Sequence, residues 1–249
     1  VETVRSILAK AGIPESALQC GAHPPYDPVA ARALERSGIV PTAVYNNCSG
    51  KHAGILAMCK VMGVDVADYL SPANPAQVKI LDLCARLADE SRSALPLAID
   101  GCGIPVYATT LRRAAISFAT LAAATAFGDD DARALATVGN AMRAHPWQVA
   151  GTNEFDTALM TEAPSLVAKA GAEGVHGSAS ITAGCGLVLK VLDGGARAVP
   201  PAAIALMRGL GILTQAELVR LAAFEHPILR NRAGRDVGDL EARGVLLQG

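Results

Sequence analysis

Residues 46–54, NNCSGKHAG, place a thiol, an ammonium group and an imidazole close together in the chain. If this stretch enters a helix, Cys48 and Lys51 lie on one face, and His52 lies four positions from Cys48. Ser49 is two positions from Lys51 and points elsewhere, so these two residues make a poor nucleophile–base pair. A thiol beside an ammonium at a helix N-terminus is expected to have a lowered pKa. The stretch therefore predicts that Cys48 is a nucleophile or a metal ligand.

A second group of polar residues lies in AIDGCGIP, residues 98–105. Asp100 and Cys102 are two positions apart, so an extended backbone would put their side chains on the same side. If the two stretches meet, two thiols, a lysine, a histidine and a carboxylate converge, and such a set could hold Zn²⁺. Spacing alone leaves other roles open, because no CxxC or HExxH pattern is present. Buried cysteines also serve as small hydrophobic residues, and Lys51 could anchor a phosphate or a carboxylate.

A third segment, AKAGAEGV, begins at residue 168 and carries Lys169 on a predicted strand. The following Ala-Gly leaves room for a ligand, and the pattern is similar to the Lys-Thr-Gly edge strand of serine β-lactamases. Glu173 is predicted to bind a ligand amine, with a surface acid as the alternative. GTNEFDT, residues 151–157, is interpreted as a helix cap or as the wall of a pocket.

The elements that must position these residues are mainly helical. Predicted helices open at Asp27 and Asn74 and end at Gly12, Gly38 and His145, and Thr214 and Glu217 form a capping-box pattern. Predicted strands are LPLAID, VYATT, SLVAKAG and GLVLKVLDGG. The sequence predicts a helix-rich α/β or α+β fold with an antiparallel sheet packed by helices. We expect a single domain over residues 1–249, helical over about 1–165 and sheet-forming over about 95–110 and 165–249.

Composition narrows the classes of partner. The formal net charge is −1 with acids and bases interspersed, so no basic surface for nucleic acid or membrane is expected. No apolar run reaches the roughly 18 residues of a spanning helix. The six cysteines lack the spacing of a secreted disulfide framework, which favours reduced thiols and a cytoplasmic location.

Taken together, these segments give a sequence that resembles the rhizobial-type, or class 3, L-asparaginases of the asparaginase II family. The similar segments occur in the family's order and are CGAHPP, NNCSGKHAGIL, DGCGIPVYA, AMRAHPWQVAGTNEFDT and AKAGAEGV. The resemblance implies a serine β-lactamase-like or glutaminase-like fold, usually a homodimer. It also implies hydrolysis of L-asparagine to L-aspartate and ammonia.

The resemblance assigns roles to several of the residues above. It implies one zinc ion bound by Cys48, Lys51 and Cys102, with Asp100 and His52 lining the substrate pocket. Lys169 corresponds to a lysine of the family's catalytic site. Asn153 and Glu154 stand where the family commonly has Gly-Arg, and Asn74 stands where a histidine usually precedes Pro-x-Gln.

The family's two active-site serines lie in a Ser-x-x-Lys motif and a Ser-His-Ser-Gly-Glu-like segment, and neither occurs in this sequence. The chain opens with a helical pattern and no initiator methionine, so we expect that its beginning is missing and that these residues alone are nearly inactive. The predicted function is an L-asparaginase that acts through a serine acyl-enzyme with zinc near the pocket. The alternatives are a non-catalytic zinc-binding or ligand-sensing relative, and an amidohydrolase acting on glutamine or a β-lactam.

Overall fold

The computed structural model describes residues 1–123 and 128–244. The chain divides into two compact units, Val1–Arg86 with Glu90–Thr109 and Leu87–Asp89 with Thr110–Gly249. Both combine helices with small antiparallel sheets, which confirms the mixed helix and sheet class. The single domain and its helical and sheet-forming ranges stay predictions. Residues 124–127 of the predicted helical range and residues 245–249 of the predicted sheet-forming range lie outside the described residues.

The first unit is built from helices and one hairpin. Its elements are α1 (Glu2–Lys10), α2 (Pro28–Arg36), α3 (Ser49–Met62), α4 (Pro75–Leu87), β1 (Leu97–Ile99) and β2 (Pro105–Tyr107). Ala53, Leu56 and Cys59 of α3 follow helical spacing and are fully buried. They pack with Leu8 of α1 and with Tyr69 in the core of this unit, so α3 is held with a fixed rotation about its axis.

Several helix ends follow the predicted capping signals. The Asp27 carboxylate accepts hydrogen bonds from the amides of Val29 and Ala30, which opens α2 with Pro28 at its first position. The Asn74 side chain likewise accepts the amide of Ala76 at the start of α4. Each cap provides a partner for an amide that the helix itself leaves unpaired.

The second unit carries a three-stranded sheet with strand order β3-β4-β5. Its elements are α5 (Leu111–Ala123), α6 (Asp129–Ala144), α7 (Pro146–Val149), α8 (Phe155–Glu162), β3 (Leu166–Ala170), β4 (Val175–Ser180), β5 (Cys185–Lys190), α9 (Val199–Gly209), α10 (Gln215–Arg220), α11 (Ala222–Glu225), β6 (Ile228–Arg230) and β7 (Asp236–Asp239). The last two strands pair as a separate antiparallel hairpin. α10 opens with the predicted capping box of Thr214 and Glu217.

The two faces of the three-stranded sheet differ in what covers them. Leu166, Ala168 and Leu187 point to one face and pack in the core with side chains of α8 and α9. The other face lies so close to α5 that a Cβ on Gly186 would be 2.0 Å from the carbonyl oxygen of Ala115. Glycine is therefore required there, because any side chain would collide with the backbone of the helix.

Candidate functional site

Residues from both polar stretches of the first unit lie together. The ligand atoms of Cys48, Asp100 and Cys102 are all within 4.8 Å of one another. The Cys102 thiol donates a hydrogen bond to Asp100 Oδ2 at 3.3 Å, and Lys51 Nζ lies 3.4 Å from the same oxygen. The structure therefore gathers two thiols, a carboxylate and an ammonium group, here named the thiol cluster.

The start of α3 positions two members of the cluster. Cys48 is the N-cap residue, and Lys51 follows in the first turn of the helix. The Asn46 side chain is buried and fixes this turn, because its Oδ1 accepts the amide of Cys48 at 2.7 Å while its Nδ2 donates to the carbonyl of Cys20 at 2.8 Å. Asn46 thus joins the CGAHPP segment to the helix start.

A tight turn between β1 and β2 positions the other two members. The amide of Asp100 donates to the carbonyl of Ile104, and the amide of Gly103 donates to the carbonyl of Asp100. Gly103 has φ +89°, a value that favours glycine. A turn, rather than an extended backbone, therefore brings the side chains of Asp100 and Cys102 together.

Burial dominates the electrostatics of Cys48. Burial raises the pKa of the Cys48 thiol, and the nearby Cys102 and Asp100 add to this effect, while Lys51 lowers it by a smaller amount. The expectation that the lysine and the helix start lower the pKa of Cys48 is therefore wrong, because burial has the larger effect. Burial lowers the pKa of Lys51, but the attraction of Cys48, Cys102 and Asp100 outweighs it and the net direction is upward. For Asp100, burial acts to raise the pKa, but the hydrogen bond from Cys102 and the attraction of Lys51 make the net direction downward.

His52 points away from solvent into the core of the first unit. Burial lowers its pKa to about 4, so the imidazole is neutral near pH 7. Its Nδ1 lies 2.6 Å from the Tyr69 hydroxyl, which also accepts the amide of Gln19 at 2.8 Å. Because Nδ1 is the acceptor within reach of the hydroxyl proton, we infer that Tyr69 donates to Nδ1 and that the proton of His52 resides on Nε2. Nε2 is buried without a hydrogen-bond partner among the described residues.

An apolar cavity of about 380 Å³ lies beside Lys51 in the first unit. Ile55, Leu81, Ile104 and Tyr107 are among its lining residues, and Lys51 supplies the one charged side chain in that lining. The size falls within the range of small-molecule sites. A ligand in this cavity would reach Lys51 of the thiol cluster.

Lys169 and Glu173, the other predicted site residues, belong to the second unit. Both are exposed. Lys169 lies near the end of β3, and its Nζ donates to the carbonyl of Ala170 at 2.7 Å. Glu173 has φ +57° in the turn between β3 and β4, and its carbonyl accepts a hydrogen bond from Lys190 Nζ. The predicted catalytic role of Lys169 and the predicted substrate-binding role of Glu173 stay predictions.

Asp156 is a buried charged residue that the sequence patterns did not single out. It lies in the GTNEFDT segment, where α8 begins after Glu154 as one of the two interpretations expected. Its carboxylate accepts a hydrogen bond from the amide of Ala170, the residue that follows Lys169. The sequence did carry one signal for this residue, because Asp156 shares the apolar side of α8 and follows the buried Phe155. Asn153 precedes this helix with φ +61°, a conformation that asparagine tolerates better than most residues other than glycine.

The sequence of the chain matches a known protein family. The model of the L-asparaginase II family matches residues 1–242, and the chain belongs to this family. The family indicates an asparaginase-type amidohydrolase with a small-molecule substrate. No curated protein matches the chain.

No helix within residues 1–123 and 128–244 is long and apolar enough to cross a membrane.

Proposed function

We propose that the protein is an L-asparaginase that hydrolyses the side-chain amide of L-asparagine to give L-aspartate and ammonia. The observation that supports this proposal is the thiol cluster, which unites Cys48, Lys51, Asp100 and Cys102 in a chain of the L-asparaginase II family. Asparagine presents an α-ammonium group, an α-carboxylate and an amide, so its site needs both charges and hydrogen-bonding groups. In the first unit, Asp100 is the proposed contact for the substrate, and the substrate-binding roles of His52 and Glu173 stay predictions.

The proposed chemistry is acyl transfer through a serine ester. A serine oxygen attacks the amide carbon, Lys169 takes the hydroxyl proton and gives it to the leaving nitrogen, and ammonia departs. Water then attacks the ester carbon, releasing aspartate and restoring the serine. The proposed nucleophile is a serine, as in the family's Ser-x-x-Lys motif.

The chemistry of the thiol cluster fits zinc. Zinc binds thiolate sulfur at about 2.3 Å in tetrahedral sites, so two ligand atoms lie about 3.5–4 Å apart. The ligand atoms of Cys48, Asp100 and Cys102 lie within 4.8 Å of one another, so a small side-chain adjustment brings the two thiols to that spacing, and Lys51 Nζ lies 3.4 Å from Asp100 Oδ2. Cys48, Lys51 and Cys102 are the proposed ligands, with a neutral lysine nitrogen, and Asp100 lies beside them. A bound zinc ion would act as a Lewis acid there.

Other parts of the proposal concern the whole protein. Assembly as a homodimer and a serine β-lactamase-like arrangement of the fold belong to the same proposal. A cytoplasmic location stays a prediction that rests on cysteine usage in the sequence.

Ammonia release by the full-length protein tests the function. L-asparagine is the expected substrate, and L-glutamine and D-asparagine serve as competing compounds. Replacement of the proposed proton carrier, Lys169→Ala, is expected to lower kcat by about 10²- to 10⁴-fold. Lys60→Ala, which removes an exposed lysine from the last turn of α3, is the control and is expected to retain turnover. A protein that releases no ammonia from L-asparagine under any metal condition contradicts the proposal.

Metal analysis tests the zinc site separately. Purified protein is expected to contain one zinc per chain, and the Cys48→Ser/Cys102→Ser variant is expected to contain none. Cys84→Ser is the control, because this thiol lies outside the thiol cluster. Equal zinc content in the double variant and the parent protein would show that these thiols are not ligands.

A further inference from the structure

The second unit contains a buried acidic side chain that the proposed chemistry does not use. Asp156 of α8 is 2% exposed. Its Oδ2 accepts the backbone amide of Ala170 at 2.5 Å, and its Oδ1 lies 3.2 Å from Nδ1 of His176, which is 1% exposed. A buried carboxylate is costly unless it is hydrogen-bonded. An apolar side chain of similar size often gives equal or better stability than a buried ionic group, so stability alone does not account for Asp156.

The strand register explains why the amide of Ala170 is available to Asp156. β3 is at the edge of the sheet, and Ala170 lies opposite His176 of β4. The amide of Gly171, one residue later, donates a hydrogen bond to the carbonyl of Val175 at the start of β4. Because successive amides of a strand point to opposite sides, the amide of Ala170 points away from β4. Asp156 thus occupies the position that a further strand would otherwise take.

This hydrogen bond acts on the backbone of Lys169 itself. The amide nitrogen of Ala170 shares a planar peptide group with the carbonyl carbon of Lys169. Holding that amide fixes the orientation of the peptide that follows the Lys169 Cα atom. The carbonyl of Ala170, on the next peptide, accepts the hydrogen bond from Lys169 Nζ. Asp156 therefore restrains both the backbone that carries the lysine and the residue on which its ammonium group rests.

A catalytic triad is the other arrangement that these residue types suggest. Ser178 lies two positions from His176 on the same face of β4, so Asp156, His176 and Ser178 could be interpreted as acid, base and nucleophile. Ser178 is fully buried, and its hydroxyl has no hydrogen-bond partner among the described residues. A nucleophile must be reached by its substrate, and no substrate reaches a serine and a histidine with 0% and 1% exposure. The geometry favours a structural use of the pair.

We propose that Asp156, with His176 behind it, is a positioning residue that holds Lys169 in the orientation required for proton transfer. This inference rests on the proposed function, because it assumes that Lys169 carries the proton. Asp156 does not contact the substrate in this proposal. Its effect passes through one hydrogen bond to the peptide group after Lys169.

Three variants of the full-length protein test the proposal. Asp156→Ala removes the acceptor, and Asp156→Asn keeps an acceptor oxygen without the charge. Leu159→Ala is the matched control, because this fully buried residue of the same helix creates a cavity without touching the amide of Ala170. All three are compared at a temperature at which each is fully folded.

Two measurements report on how firmly Lys169 is held, and neither depends on catalysis. The first is hydrogen exchange of the Ala170 amide, which is expected to be about tenfold faster in Asp156→Asn, since a bond to a charged acceptor is about twice as strong as a bond to a neutral one. The second is the rate at which Lys169 is acetylated by an anhydride, measured by mass spectrometry. That rate is expected to change in the Asp156 variants and to stay at the parent value in Leu159→Ala.

The turnover rates of the three variants are expected to differ in the same way. Asp156→Ala should lower kcat by about 100-fold with KM nearly unchanged, because an error of about 1 Å in placing a reacting group costs this much. Asp156→Asn should recover much of that loss, and Leu159→Ala should retain the parent kcat. Unchanged exchange at Ala170 in Asp156→Asn overturns the proposal, even if Asp156→Ala fails to fold. Equal losses of kcat in Asp156→Ala and Leu159→Ala also overturn it. Absence of asparaginase activity in the parent protein counts against the proposed function, while exchange and acetylation still report on the hydrogen bond.

Discussion

The hydroxyl group of Tyr69 offers a direct test of the core of the first unit. Tyr69 is 0% exposed, and its ring meets the His52 ring edge-on with centroids 5.5 Å apart. Burial raises the pKa of Tyr69 to about 12, so the group is a neutral hydroxyl near pH 7. That hydroxyl joins the Gln19 amide to His52 Nδ1, with hydrogen bonds of 2.8 and 2.6 Å. The substitution Tyr69→Phe removes this hydroxyl group and leaves the ring in place.

The expected loss of stability follows from the groups left behind. The Gln19 amide is only partly buried, so water can replace part of its bond. His52 Nδ1 is fully enclosed and loses its donor. A buried polar atom without a partner costs about 1–3 kcal/mol, and we expect Tyr69→Phe to lower the free energy of unfolding by this amount.

Urea denaturation near pH 7 measures the effect, with Tyr26→Phe as the control. The Tyr26 side chain is 77% exposed, so its hydroxyl is solvated in both the folded and the unfolded chain. A surface substitution of this kind is expected to change stability by less than about 0.5 kcal/mol. If both variants unfold within 0.5 kcal/mol of the parent protein, the argument from the buried hydroxyl is refuted. Nitrogen NMR of His52 adds a second test, because the parent protein should carry its ring proton on Nε2.

Two further predictions concern single backbone and cap positions. Gly186→Ala should destabilise the second unit by at least about 1–3 kcal/mol, because the new Cβ would meet the Ala115 carbonyl, whereas Gly54→Ala, on the exposed side of α3 with open space around it, should stabilise by about 0.5–1 kcal/mol. Thermal unfolding of both variants checks the difference in sign. Thr214→Ala should cost about 1 kcal/mol by removing the capping box of α10, and an unchanged urea midpoint would show that this cap contributes nothing.

The helix caps could be predicted because their signals are local. Asp27 and Thr214 lie within three residues of the amides they cap, and that spacing is visible in the sequence. The approach of Cys48 and Cys102 was only a conditional expectation, because it depends on how α3 packs against the hairpin turn. Their shared glycine-rich, polar surroundings were the available signal.

Other features depend on tertiary packing, and the sequence did not indicate them. β4, VHGSAS, has Val175 as its one β-branched residue and contains no Phe, Tyr or Trp, and it forms because it is paired on both sides. The raised pKa of Cys48 results from burial, which the sequence does not show. The neighbouring lysine suggested the opposite direction. The sequence signal for Asp156 is weak, because acidic residues are common in the first turn of a helix and its contact with β3 depends on packing.

The attachment of α3 has a consequence for how the chain can vary in length. Cys48 and Lys51 face the thiol cluster, while His52 is tied to Tyr69 inside the core. Each residue added to an α-helix rotates everything beyond it by about 100°. An insertion or deletion of one residue between Lys51 and His52 would turn the Cys48 and Lys51 side chains away from Asp100, or it would separate the imidazole from Tyr69. This segment can therefore exchange side chains one at a time, but its residue count is fixed, whereas the exposed turn at 231–235 between β6 and β7 can change in length.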